Sequence, residues 1–312
     1  MAVATEVLRH GHNLLSPPLA RDIEVATLRF MPLYDKLVGP AHYPPIRKLL
    51  QGAEQRGELR SPILLPGDGT AHNTITIAKA RTNRYSDEGR IEGIQRPDVI
   101  IYTDVFDAVI QIGRRNILDQ LATALEMKMS MNGTVYDHIK IVEQGNHIDL
   151  EYKNKILLRI YILKKDARKI DEILGELELE DVKTVVASFI HYWIPGMDGK
   201  TEMIQNMSKV LPAGGRVLRL EEDGLVLSSD ASGKVDELPP LIRKAVSIIG
   251  LYEMDQLYTR LGFALGGATA EQVGTIIEEH RICCRPYIKT ASGVYAPDDR
   301  IVGLDGNQLP SK

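Results

Sequence analysis

The sequence predicts an α+β fold, on three observations. Prolines crowd the first 66 residues, helical and hairpin patterns interleave through the middle without strict β-α-β order, and the last third reads as mainly helical. The expected organisation is an extended, proline-rich N-terminal arm over 1–66. A mixed α/β body with a β-ribbon and a long helix follows over 67–237, then a helical region with a final strand and polar tail over 238–312.

Pro17, Pro18, Pro32, Pro40, Pro44, Pro45, Pro62 and Pro66 all fall in the arm. Each fixes its own φ and biases the preceding residue toward extended geometry, which argues against a long helix or a central strand there. Ile46 to Arg56 is the exception, with Ile46, Leu49, Leu50 and Ala53 on one helical stripe. The arm also carries many apolar residues, among them Leu14, Leu15, Leu28, Phe30, Leu33 and Tyr34, which need a surface to lie against.

After a Gly-rich turn at Pro66-Gly67-Asp68-Gly69, Ile75 and Ile77 alternate with Thr74 and Thr76 in a strand pattern. Asp98 to Thr103 and Val105 to Ile112 continue the apolar runs. Together they predict a ribbon whose charged tip holds Arg84, Asp87, Glu88 and Arg90. Asn116 is placed to cap a helix to about Met131, and Asn132-Gly133 ends it. Strands are predicted at His138 to Val142, Ile148 to Tyr152 and Ile156 to Leu163, the last two joined by a turn at Lys153-Asn154-Lys155. Asp166 to Leu177 is helical, Val182 to Ile190 a buried strand, and Glu202 to Leu211 a short helix. Arg216 to Leu220 and Leu225 to Leu227 form a second hairpin candidate. Helices are expected from Pro239 to about Leu261 and from Ala270 to His280, then a strand at Arg285 to Lys289.

Lys+Arg 38 against Asp+Glu 42 gives a net charge of -4, which excludes a general polyanion binder and a polybasic membrane anchor. No apolar stretch approaches the ~18 residues of a spanning helix, and the N-terminus lacks the pattern of a secretory signal. The expected location is a virion or the cytoplasm. Cys283 and Cys284 are adjacent, a spacing that disfavours a mutual disulfide, and His280 is the only histidine near them in sequence. They read as small residues on the two faces of a short strand.

Candidate chemistry is thin. Asp149, Glu151 and Lys153 share a strand face, with Asp98 upstream, in the pattern of a metal-dependent nuclease; Glu126 and Lys128 repeat the letters on a helix. The solvated face of a hairpin explains them better, since no basic patch accompanies them. His10 and His12 lack companion ligands. Leu265-Gly266-Gly267-Ala268-Thr269 has the shape of an anion loop without its lysine. Tyr102, Asp104 and Asp107 resemble a polymerase turn only superficially.

The block Asp181 to Trp193, closing at Val210-Leu-Pro-Ala-Gly-Gly-Arg-Val-Leu218, resembles the second half of a class I S-adenosylmethionine-dependent methyltransferase. The resemblance implies a buried strand ending near the cofactor, a helix, and a proline-glycine turn into the next strand. It also implies a Gly-rich turn after a first strand, placed in order at Ala108 to Gly113 before Arg114-Arg115-Asn116, with Glu143 as ribose acid. His191 and Trp193 would line the pocket, and an enzyme would centre on Ala187 to Trp193 and Ala213 to Arg216.

Element order alone, over about residues 1–140, is similar to that of capsid and encapsulin-type shell proteins, tailed-phage ones included. The first expectation is therefore a structural, self-assembling virion subunit without catalytic residues, metal or cofactor, touching copies of itself through arm and ribbon. The alternative is a methyltransferase-like enzyme with a degenerate cofactor loop.

Overall fold

A computed structural model describes residues 39–132, 135–194, 196–222, 251–265, 272–274 and 281–290. The arm before residue 39 lies outside them, as do His10, His12, Gly266 to Thr269 and His280.

Helix α1 (Gly39–Gln55) starts ahead of Pro44 and Pro45 and buries the expected stripe of Ile46, Leu49, Leu50 and Ala53. Strand β1 (Ile63–Pro66) follows, and all four of its residues are buried. It pairs in parallel with β2 (Asp98–Asp104) on one side and β6 (Thr184–Ser188) on the other. A central strand thus forms where the prolines argued against one. Pro62 and Pro66 bracket its ends, so the missing donors fall outside the ladder's middle.

The segment read as a strand around Ile75 and Ile77 is helix α2 (His72–Thr82). The five-residue helix α3 (Glu88–Glu92) and a 3-10 turn occupy the supposed ribbon tip. Val105 to Ile112 opens not a third strand but α4 (Asp107–Asn132), which begins nine residues before the expected cap at Asn116. No ribbon exists among the described residues of this region.

A hairpin of β3 (Ile139–Gln144) and β4 (His147–Tyr152) leads into β5 (Lys155–Lys164). The predicted turn is present, with Lys153 and Asn154 both left-handed at φ 47 and 67. A 3-10 segment (Ala167–Glu172) merges into α5 (Ile173–Glu176). After β6 come α6 (Ile190–Trp193) and α7 (Gly196–Val210), then β7 (Arg216–Glu222). The C-terminal portion holds α8 (Leu251–Arg260) and three strands: β8 (Phe263–Leu265), β9 (Gln272–Gly274) and β10 (Arg281–Lys289).

All ten strands join one sheet in the order β3-β4-β5-β2-β1-β6-β7-β10-β8, with β9 on β10. β5, β2, β1, β6 and β7 run parallel, while β10 inserts antiparallel between β7 and β8. Side-chain alternation sorts the sheet into two cores. Ile63, Leu65, Ile100, Tyr102 and Ile160 pack with α1, α2 and α4 through residues such as Leu49, Ile77 and Ile117. Leu64, Ile101, Val185, Ala187 and Val217 pack with the 167–176 segment, α7 and α8 through Ile170, Met203 and Tyr258.

The result is a doubly wound, three-layer α/β sandwich, which overturns the α+β expectation. A helical C-terminal third is overturned too. β10 pairs with β7 along seven residues, and β9 lies inside the segment expected to be helical to His280. Cys283 and Cys284 sit on β10 opposite Glu221 and Leu220.

Candidate functional site

The order of the parallel strands creates a switch point. From β1 the chain crosses to β2 and then β5 on one side, and afterwards to β6 and β7 on the other. Connections leaving β1 and β6 therefore diverge, and the crevice at their carboxyl ends is where such sheets hold ligands.

The loop leaving β1, Gly67-Asp68-Gly69-Thr70-Ala71, lies on this crevice. Gly67, Gly69 and Ala71 all have left-handed backbone, with φ 62, 55 and 68. A Cβ on Gly67 would lie 2.3 Å from Cδ1 of Ile190, just past the end of β6, so the two lips of the switch point touch there. The glycine turn directly after the first parallel strand is thus at Gly67, packed against Ile190, rather than at the Ala108 to Gly113 segment expected to supply it, which lies in α4.

Many polar groups of the loop are already matched. Asp68 N–H donates to the Thr103 carbonyl at 3.2 Å, and Ala71 N–H to the Asp68 carbonyl at 2.9 Å. Tyr102 Oη donates to the Gly69 carbonyl at 2.6 Å, and Asn116 Nδ2 to the Thr70 carbonyl at 3.2 Å. The Asp68 carboxylate accepts from Asn73 Nδ2 at 2.6 Å, Thr74 N–H at 2.8 Å and Thr74 Oγ1 at 2.7 Å. It thereby caps α2, whose own N-cap position, Ala71, has no side-chain bond to offer.

Asp104 ends β2 beside this loop. Its Oδ1 accepts the N–H groups of Val105 at 2.8 Å and Phe106 at 3.1 Å, and the Gly69 N–H also points at the carboxylate. Burial pushes its pKa up to about 6, against the pull of those three donors, and the neighbouring Asp68 charge adds to the rise. The Asp68 carboxyl is likewise raised, by burial first, with Thr74 and Asn73 opposing.

On the far lip, Phe189 takes φ 52 and turns the chain into α6, where His191 is buried with Nε2 2.9 Å from Tyr258 Oη. Tyr258 stacks on Tyr287 with centroids 4.1 Å apart, and Tyr287 Oη bonds both Arg219 and Asp255. At the end of β5, Asp166 is engaged by both the N–H and the guanidinium of Arg168.

The structure redistributes the residues singled out from the sequence. Asp149 is buried in a bidentate pair with Arg159 at 2.8 and 2.7 Å, Lys153 pairs with Glu88, and Asp98 with Arg81. No group of three His, Cys, Asp or Glu among the described residues is placed to hold a metal. Glu143 lies on the edge strand β3, separated from β2 by β4 and β5, and pairs with Arg114; the carboxylate at the carboxyl end of β2 beside the crevice is Asp104. Gly214 and Gly215 sit at the amino end of β7, away from the crevice, which removes Ala213 to Arg216 from the site. Ala187 to His191 remain at it, and Trp193 lies in α6. Asp68 was missed as a site residue, although Gly67-Asp68-Gly69 after Ile63-Leu-Leu was the available signal.

The residues present fit an adenosine-type cofactor: a carboxylate at the β2 terminus for a ribose diol, and a turn with left-handed Gly67 and Gly69 directly after β1. No known protein-family model and no curated protein matches the sequence. Solved structures resemble the chain at low identity. The N-methyltransferase NodS from Bradyrhizobium japonicum is 12% identical, with 79% of this chain and 97% of that one covered, at a TM-score of 0.44. An O-methyltransferase family protein from Burkholderia thailandensis is 10% identical, with 91% and 62% covered, at 0.49. A SAM-dependent methyltransferase from Methanosarcina mazei is 11% identical, with 76% and 97% covered, at 0.44. The expected virion subunit is overturned by the architecture: no ribbon forms among the described residues, where helices stand instead, and the sheet is doubly wound.

Proposed function

We propose that the chain is an S-adenosylmethionine-dependent methyltransferase using the crevice between β1 and β6. The observation that carries this reading is the pairing of Asp104 at the end of β2 with a loop whose own Asp68 occupies the N-terminus of α2. In dinucleotide-binding sheets that helix N-terminus receives a pyrophosphate. Here its first-turn donors at Asn73 and Thr74 are taken by a carboxylate of the chain. A second anion would meet that charge, which favours an adenosine cofactor bearing a cationic sulfonium and amine.

Asp104 would hold the ribose hydroxyls and the Gly67 to Thr70 backbone the amino-acid portion. When bound there, S-adenosylmethionine would supply an electrophilic methyl group to an acceptor lone pair, its sulfonium becoming a neutral thioether. Ile190 against Gly67 closes the floor of the crevice, and Phe189 to His191 form the lip facing an acceptor.

Calorimetric titration with S-adenosylhomocysteine and, separately, with NAD tests the reading. Binding of the first and not the second is expected, with loss of binding in Asp104→Asn. Binding of NAD alone, or of neither, rejects it.

A further inference from the structure

We infer that Tyr102 is a positioning residue for the loop after β1, held in place by a stripe of α4. The proposal rests on the methyltransferase reading for its ligand but stands on a separate piece of geometry. Tyr102 Oη donates to the Gly69 carbonyl at 2.6 Å, with the Val109 carbonyl 3.3 Å away. Its ring is buried among the α4-side core, and burial pushes its hydroxyl well above the ordinary range, so it stays a donor at every working pH.

Val109, Gly113 and Asn116 recur at i, i+4 and i+7, one face of α4. Val109 lends its carbonyl to the Tyr102 hydroxyl, and Asn116 Nδ2 reaches the Thr70 carbonyl at 3.2 Å. Gly113 between them makes room: a Cβ there would lie 2.4 Å from Tyr102 Oη and 2.7 Å from its Cζ. Two consecutive carbonyls of the loop, Gly69 and Thr70, are thus pulled toward α4. Their orientation fixes the peptide planes that any ligand on the loop must meet.

A hydroxyl-free ring tests the role without opening a cavity. Tyr102→Phe should keep the wild-type melting temperature to within a few degrees, while hydrogen exchange at residues 67–71 speeds up in the free protein. Its affinity for S-adenosylhomocysteine should fall by about tenfold, the scale of one lost hydrogen bond. Affinity for adenosine, which needs only the Asp104 end, should change by no more than about twofold. Asn116→Ala should repeat this pattern more weakly. Unchanged exchange at the loop, or equal losses for both ligands, overturns the positioning role. Faster exchange in the variant together with a wild type that binds neither ligand keeps the clamp and rejects the methyltransferase reading instead.

Discussion

The Asp68 carboxylate and Thr74 meet twice, at 2.8 Å through the backbone N–H and at 2.7 Å through the hydroxyl, across a six-residue separation. Because α2 has no other side-chain cap, Asp68→Ala should cost about 1–2 kcal/mol in urea unfolding, and Asp68→Asn less. The exposed helix end should then accept an anion. Sulfate is expected to raise the melting temperature of Asp68→Ala more than that of the wild type, and equal responses would show that Asp68 does not fill the anion position.

Asp104 should make affinity and stability run in opposite directions with pH. Its folded pKa of about 6 lies above the ordinary carboxylate value, so the folded state holds the proton more tightly than the unfolded chain. The stabilisation this gives is fully present below about pH 4 and is lost as pH rises through about 6, amounting to at most about 3 kcal/mol. Cofactor binding needs the ionised carboxylate and should strengthen over the same interval. Asp104→Asn should flatten the stability profile between pH 4 and 7 relative to wild type; a parallel profile would contradict the assignment.

Local elements were readable where the fold class was not, and the failures arise where residues outside a segment decide its structure. The α1 stripe of Ile46, Leu49, Leu50 and Ala53 and the Lys153-Asn154 turn depend on local pattern, and both appear as expected. Ile75 and Ile77 alternate like a strand, yet they lie on a helix because Asp68, outside the segment, caps it. Val105 to Ile112 has the apolar run of a strand, but the Asp104 carboxylate gathers the next two N–H groups and turns the chain into α4. β1 was hidden by its shortness between two prolines, and without β1 neither the switch point nor the role of Gly67-Asp68-Gly69 was visible.

Arg81 anchors the opposite end of the sheet. It is 1% exposed and bonds Glu54, Asp98 and the Leu59 carbonyl, joining α1, α2 and β2. The Glu54 carboxyl is raised chiefly by burial, so removing the Arg81 guanidinium leaves a desolvated acid whose remaining cationic partner is the more exposed Arg84. Arg81→Ala should lose about 3–5 kcal/mol. Arg81→Ala with Glu54→Gln should recover part of that, measured by urea unfolding, and no recovery would mean that packing rather than charge sets the cost.

Gly67 separates backbone strain from steric contact. Its φ of 62 costs a side-chain-bearing residue about 1–2 kcal/mol, and its missing Cβ would also press on Ile190 Cδ1. That methyl is the far end of a flexible side chain and can swing away, so strain should dominate. Gly67→Ala is therefore expected to destabilise by about 1–2 kcal/mol and Ile190→Val by about 1 kcal/mol. In the double variant the two costs should add to within about 0.5 kcal/mol, because removing Cδ1 relieves the contact but leaves the dihedral where it was. Recovery in the double variant would make Ile190, not the backbone, the reason for glycine at the turn.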